Sequence, residues 1–396
     1  MNAEQTKQQI EIQKAEQVLP MWKIVVSQFC EHKAAVAGLI IIIFYVLIAV
    51  GAPLISKITG LDPEKQNPLA RYQPMFSHLE ISSGDKDELS NSFAEKNPDL
   101  VQSITTELTQ KNLFTPSSPE TAFNEFMQLE HSELERIYAQ LETPSKERAF
   151  ELTKNFKTYH VFGTDELGRD VLIRLVYGTR VSMGVGVLVT IASAIIGLLI
   201  GSFAGYHGGF VDTALMRVTD ALLSLPTIPI LIVVAAIDLD KLPAFRYIIT
   251  TENEAIFKLV VILVLFSWMQ VARLVRASVL SLREREFILA AKTMGATDMT
   301  IIMKHLLPNV VAPLLVSVTL GVGSSILYEA ALSFLGLGIQ PPTPSWGNML
   351  FNAQDLITEA PFLAILPGLQ ILLVVMSFNY LGDGLQDAID PKSIRR

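Results

Sequence analysis

Apolar and polar positions fall into long blocks along this chain rather than into short alternating runs. Six stretches without Asp, Glu, Lys or Arg are read as spans: Ala34–Ser56, Val181–Val211, Ala221–Ile237, Leu259–Ala272, Leu306–Tyr328 and Ala360–Gly382. A helix crosses the hydrocarbon core of a bilayer with about 20 apolar residues, and about 17 is the practical lower limit. Ala221–Ile237 just meets that limit, and Leu259–Ala272 falls short of it unless Lys258 snorkels outward and the helix continues past Arg273. The pattern predicts six spans. The first is expected to remain as an anchor. It begins after 33 residues, exceeds the length of a signal-peptide core and lacks a small-residue cleavage site.

Composition agrees with the block pattern. Hydrophobic residues make up 50% of the 396, charged residues 18%, and the mean hydropathy is +0.39. A soluble chain of this length carries about a quarter charged residues. The lone cysteine, Cys30, excludes an intrachain disulfide and a multi-cysteine metal site. It reads as a small apolar filler near the first span.

Lys and Arg in short loops set orientation. Between the fourth and fifth runs stand Arg273, Arg276, Arg283, Arg285, Lys292 and Lys304, and the tail adds Lys392, Arg395 and Arg396, whereas Gly336 to Pro361 has none. The 273–305 loop and the C-terminus are therefore expected on the cytoplasmic side and 336–361 outside. With six spans, a cytoplasmic N-terminal segment 1–33 follows, and then a first span at 34–56.

Residues 57–160 differ in kind. From Gly60 to His160 there are 17 acidic and 10 basic residues, a net of −7 against −8 for the whole chain. The topology puts this acidic insert outside the cell membrane. Ser118-Pro119-Glu120 has the cap and first-turn proline of a helix start. Phe123, Phe126, Met127, Leu134, Ile137, Tyr138 and Leu141 then recur at threes and fours. Thr143-Pro144 repeats the start signal for a helix through Phe156. The insert reads either as a small helical satellite or as a docking surface for an external partner.

"EFILAAKTMGATDMTIIMKHLLPN", Glu286 to Asn309, lies between two spans yet mixes charge with helical spacing. Phe287, Ile288, Ala291 and Met294 are expected on one helical face, with Arg283, Glu284, Lys292 and Asp298 as polar contacts. Gly295 suits a left-handed turn between two helices. Thr297 or Asp298 is a candidate cap for the second, and Pro308 falls where the chain re-enters the membrane. Two readings fit: a knob for a cytosolic protein, and an amphipathic helix on the lipid surface.

"LAAKTMGATDMTIIMKHLLPN" resembles the cytoplasmic coupling loop of ABC importer permeases. That loop reads Glu-Ala-Ala, three residues, Gly, nine residues, then Ile-x-Leu-Pro. Ala290, Ala291, Gly295, Leu307 and Pro308 match, while Leu289 stands in place of the Glu and His305 in place of the Ile. "FGTDELGRDVLIRLVYGTR", "GYHGGFVDTALMRVTDALLSLPTIP" and "ALSFLGLGIQPPTPSWGNML" resemble the C-type permease of the peptide/nickel branch. The resemblance covers 21–55 loosely and 159–391 closely; it does not reach 60–155. It implies an all-α polytopic membrane protein of six transmembrane helices, with a permease core at 161–385, a coupling loop at 283–309 and a cytoplasmic tail at 386–396. The mostly helical extra-cytoplasmic insert at 57–160 is added to that plan. The resemblance implies a bacterial inner-membrane importer subunit for oligopeptides or dipeptides, with nickel import as the rival. Its partners would be a second homologous permease, two cytosolic ABC ATPases, an external solute-binding protein and the lipid bilayer, with no nucleic acid. The coupling residues would be Glu286, Ala290, Ala291, Gly295, Asp298, Leu307 and Pro308. The chain has no Gly-x-x-x-x-Gly-Lys-Ser/Thr phosphate loop. It is expected to be non-catalytic, to hold no cofactor or metal, and to leave ATP to its partners.

Other polar residues admit two readings each. Asp165, Glu166, Arg169 and Asp170, with Gly168 between them, cluster before the second span. Paired carboxylates suit acid–base chemistry, but no nucleophile or metal set accompanies them. A structural or gating cap at the external mouth, with Arg169 or Arg180 pairing the acids, is the stronger reading. His160 nearby reads as a surface residue. Glu329, near the external end of span five, reads as a gating or paired acid, Arg180 being a candidate partner, or as a substrate contact. Asn379 and Asp383 are expected to cap span six, and Trp346 to sit at the membrane interface. Gly197, Gly201 and Gly205 make a small-residue face for close helix packing. His78, His131, His160, His207 and His305 are scattered, which favours peptide over nickel. An ion-coupled secondary transporter would show repeats and mid-span acids, and a membrane enzyme a convergent catalytic set. Neither is visible in the sequence.

Overall fold

The computed structural model describes residues 21–237 and 254–389, apart from 68–69, 81–82, 117, 119–120, 130, 143–145, 147–148 and 150–156. The chain divides into two compact units. One comprises Met1–Leu54, Leu175–Gln354 and Ala364–Arg396, and the other Ile55–Arg174 and Asp355–Leu363.

A short helix α1 (Met21–Glu31) precedes α2 (Lys33–Thr59), the first long apolar helix. The second unit follows. Strands β1 (Ser77–Glu80) and β2 (Lys157–His160) pair antiparallel, Ser77 opposite His160 and Glu80 opposite Lys157. Between them lie α3 (Ser83–Lys96), α4 (Pro98–Gln110), α5 (Ala122–Met127) and α6 (His131–Gln140). The expected single helix after Ser118 is thus two, α5 and α6. The periodic residues all serve one core: Phe123, Phe126, Met127, Leu134, Ile137, Tyr138 and Leu141 are buried together with Ile104 and Leu108 of α4. Each side chain of this size contributes about 2 kcal/mol when buried, so the insert has an apolar centre of its own. The Tyr138 hydroxyl meets Met127 Sδ at 3.8 Å, and burial raises its pKa above the ordinary phenol value. The expected helix from Thr143 to Phe156 lies mostly outside the described residues.

The remaining elements are α7 (Val171–His207), α8 (Gly209–Leu223), α9 (Thr227–Ala235), α10 (Glu254–Leu282), α11 (Glu286–Thr293), α12 (Asp298–Thr300), a π-helical turn (Ile301–Leu306), α13 (Leu307–Phe334), α14 (Trp346–Ala353) and α15 (Phe362–Ile389). Among the described residues, five helices are long and apolar enough to cross a membrane: Lys33–Thr59, Val171–His207, Glu254–Leu282, Asp298–Phe334 and Phe362–Ile389. The fourth charge-free run did extend past Arg273. The third did not make a straight span, because α8 and α9 meet at 85° and form a sixth crossing only if the bent pair counts as one. Pro226 explains the break: it has no N–H for a helical bond and disfavours helical backbone at Leu225. Asn379 and Asp383 lie inside α15, which runs on to Ile389, so neither caps it.

Close packing of α7 on α10 follows the small-residue face. A Cβ at Gly197 would stand 2.6 Å from Val271 Cβ, and one at Gly205 would stand 2.9 Å from Arg276 O. In lipid such contact replaces the hydrophobic effect as the force between helices. Trp346 is fully buried rather than interfacial. Its backbone N–H donates to Ser182 Oγ at 3.1 Å and its indole N–H to Leu175 O at 3.4 Å. Its ring meets Tyr45 of α2 edge-on at 6.0 Å, and the Tyr45 hydroxyl donates to Gln370 of α15. One side chain therefore joins α2, α7 and α14.

Candidate functional site

The segment from Arg285 to Pro308 folds as a helix, a tight turn and a second helical start. Arg285 is extended (ψ 147°) and Glu286 opens α11, where its charge suits the helix N-terminus. The exit is a Schellman turn: Ala296 N–H donates to Ala291 O and Gly295 N–H to Lys292 O, both at 3.0 Å. The turn needs φ +80° at Gly295, where a side chain would cost backbone strain. Thr297 Oγ1 then accepts from the Thr300 N–H at 3.4 Å and caps α12. The π-helical turn at Ile301–Leu306 precedes Pro308, whose ring and missing N–H cannot serve the carbonyl one regular turn earlier. The chain therefore passes into α13 without a separate second helix.

Burial sorts the loop into two faces. Ile288, Ile301 and Leu306 are fully buried and Ala291 nearly so, in a cluster with Tyr206, Val275 and Val279. Phe287 and Met294, expected on that same face, are exposed by 44% and 87%. Phe287 is one helical step from Ile288 and so points about 100° away, and Met294 lies past the last helical residue. Leu289, Met299 and Met303 are exposed as well. Glu286, Ala290, Gly295, Asp298 and Pro308 are exposed, and Leu307 is half-buried.

The other candidate residues separate. Asp165, Gly168, Arg169 and Asp170 lie in the unit of the insert, and Arg180 and Glu329 in the other. The Asp165 carboxylate accepts from Arg169 Nε at 2.7 Å and from the N–H groups of Leu167 and Arg169, and it lies 3.3 Å from Arg174 Nε. Glu166 accepts from Arg169 Nη2 at 3.1 Å. Asp170 Oδ1 accepts from the Ile173 N–H at 3.0 Å and so caps α7. Its Oδ2 lies 2.9 Å from Nδ1 of His160, which is buried, not a surface residue. Gly168 has φ +71°, and a Cβ there would collide with Asn67 O. Glu329 is 0% exposed. The Ser333 hydroxyl donates to it at 2.8 Å, and Ser182 and Ser345 also face its carboxylate. Arg180 is exposed and is not part of that serine cage. Sequence spacing singled out none of the three serines, since each comes from a different segment.

A cavity of about 740 Å³ opens among α7, α8–α9, α10, α13 and α15. Its polar lining is uncharged and includes Thr190, Ser193, Ser267, Gln270, Ser324 and Gln386. Among the described residues, neither His, Cys, Asp, Glu, Lys nor Arg lines it. No cluster of three or more metal-ligating side chains occurs among the described residues.

Two family matches decide what kind of chain this is. Residues 197–395 match the binding-protein-dependent transport system inner membrane component, and 20–74 match the N-terminal TM domain of oligopeptide transport permease C. The chain belongs to the binding-protein-dependent permease family. This permease is 44% identical over 233 residues to the dipeptide transport system permease protein DppC of Alkalihalophilus pseudofirmus, which covers 59% of this chain and 72% of the relative. It is 41% identical over 233 residues to the glutathione transport system permease protein GsiD of Pectobacterium atrosepticum, covering 59% of this chain and 73% of the relative. It is thus a multi-pass ABC importer permease of the peptide branch. A solved structure of the MetNI methionine ABC transporter aligns over 55% of this permease and 97% of its own chain, at 20% identity and a TM-score of 0.42. That likeness is too loose to add to the description.

Proposed function

We propose that this permease is the C-type subunit of an ATP-driven importer of small peptides. It pairs with a second, homologous permease, and two cytosolic ATPases sit against the Glu286–Pro308 loop. An external binding protein delivers the cargo, and both termini face the cytoplasm. The subunit itself binds no nucleotide; ATP binding and hydrolysis belong to the partners. The observation that carries this reading is the loop. It has a seated face, Ile288 and Ala291, and exposed apolar side chains at Phe287, Leu289, Met294, Met299 and Met303 on both sides of a left-handed glycine. Methionines adapt to a partner surface, and three of these five exposed side chains are methionines.

Peptide cargo is supported by the names of the relatives, a dipeptide and a glutathione permease, and by the cavity chemistry. Hydroxyls and amides match the N–H and C=O groups of a peptide. Ni²⁺ takes imidazole, thiolate or carboxylate donors, and the cavity lining has none. Asp165, Gly168, Arg169 and Asp170 serve as a structural cap that fixes the start of α7. Glu329 holds the segment between α13 and α14.

The test is purification of the chain from native membranes in mild detergent, with identification of what accompanies it. A second permease and one or two ATPases are expected. A chain that comes alone from several detergents would overturn the assignment.

A further inference from the structure

The stretch "GYHGGFVD", Gly205 to Asp212, joins the end of α7 to the start of α8. Its side chains reach the loop and α10 at once. The Tyr206 hydroxyl donates to Asp298 Oδ1 at 2.5 Å, beyond the Gly295 turn. Lys292, before that turn, places Nζ 5.1 Å from the centre of the Tyr206 ring. Tyr206 thus touches both arms of the loop, and its body is buried with Ile288, Ala291 and Ile301. Two further links tie the same elbow to α10 and its end. Asp212 receives Arg276 Nε at 2.5 Å and Nη2 at 2.6 Å, a bidentate pair. Arg283 Nη1 donates to Gly205 O at 3.2 Å.

The turn at Gly295 is exposed, and no atom lies within 4 Å of where a Cβ would stand. Contacts at the glycine itself therefore do not fix the turn; the two arms meet below it, where Ile288 and Ala291 of one pack with Ile301 and Leu306 of the other and with Tyr206. The groups that bridge the turn, Lys292 and Asp298, converge on one phenol. We propose that Tyr206 is a positioning residue that locks the two arms of the loop to the elbow, so that the loop, α7 and α10 move as one body when the loop is displaced. This rests on the loop being the ATPase contact. It adds the route by which that contact reaches the spans.

Tyr206→Phe removes the hydroxyl and keeps the ring. The test uses the complex purified through the full chain, with Cys30→Ser and spin labels at Met294→Cys on the loop and Phe210→Cys on the elbow. Both positions are 87% exposed. With Tyr206 intact, the distance between the labels should stay the same with and without ATP and vanadate. With Phe it should broaden and change with nucleotide. The balance between held and released loop should shift roughly tenfold, the size of one hydrogen bond to a charged group. Asp298→Ala, which removes the acceptor, should give the same broadening, and the double variant no more than either single change. This second substitution also decides the matter if the Phe variant assembles poorly. A distance as narrow in both variants as in the parent would overturn the proposal, and so would one that already changes with nucleotide in the parent. The ATPases in the same samples are assayed in parallel, and their absence from the parent complex would instead remove the importer reading on which the proposal rests.

Discussion

At the residue scale, the motif before the second span shows how a few side chains fix a long helix. Asp165 gathers two arginines and two backbone N–H groups, and Asp170 caps α7 while holding His160. Gly168 is the most constrained position of the set, because its left-handed backbone passes against Asn67 O. Gly168→Ala should cost more than about 2 kcal/mol, since the strain of positive φ adds to a clash with main chain that cannot rotate away. A lowered melting temperature of the purified protein checks this; an unchanged value would mean that the Asn67 backbone yields to the added Cβ. The cluster of acids, with Gly168 among them, was legible in the sequence, whereas the left-handed backbone at Gly168 was not. Nor was the burial of His160 and Trp346. Both have a polar tip that is tolerable inside only when a specific acceptor waits there, and Leu175 O, the acceptor of the Trp346 indole, lies 171 residues away in the chain.

At the element scale, absence of charge located the spans well but could not show where one bends. Ala221–Ile237 is uncharged throughout, so the break at Ser224-Leu225-Pro226 was hidden inside an apolar run. Leu225 is 43% exposed and lines the cavity. In a Cys30→Ser background, Leu225→Cys should react with a charged methanethiosulfonate. Leu199→Cys, on the exposed apolar surface of α7, should stay inert in lipid. Equal inertness would restore a straight third span. The loop gives a graded test. Gly295→Ala meets no atom and carries only the cost of left-handed backbone, about 1 kcal/mol. Gly295→Val adds a β-branch at positive φ and should be worse. Uptake of a radiolabelled dipeptide should fall in that order at equal membrane level. Normal uptake by the valine variant would count against the loop as the coupling element. Spacing had marked Gly295 and, at Thr297, the start of the second helix. It put Met294 on the buried face because a helical wheel does not show that α11 ends at Thr293, and Phe287 there although it is one helical step from the buried Ile288.

At the scale of the whole molecule, the question is what the insert is for. Its helical character and its apolar positions were readable from threes and fours. Its self-sufficiency was not, because α4 supplies Ile104 and Leu108 from outside the periodic stretch. The family matches end at 74 and resume at 197, so the segment from Ser77 to His160 falls in neither. The ribbon shows how it could be added to a permease. Glu80 and Lys157 are direct cross-strand partners, and such partners lie about 5 Å apart. The 76 residues numbered 81 to 156 therefore leave and return at one point. Replacing them with Asn-Gly, a favoured two-residue hairpin turn, should leave the helices of the other unit folded, since the apolar core removed is internal to the insert. The shortened chain should enter the membrane and retain the second permease and ATPases proposed as its partners. Loss of those partners would make the insert part of the assembly. Retention of partners with loss of peptide uptake would place its work on the external side, where cargo is delivered, and would turn the acidic surface from a passive satellite into a docking surface. Retention of both would leave it a dispensable addition, carried because a paired ribbon lets a folded unit be inserted without disturbing the spans on either side.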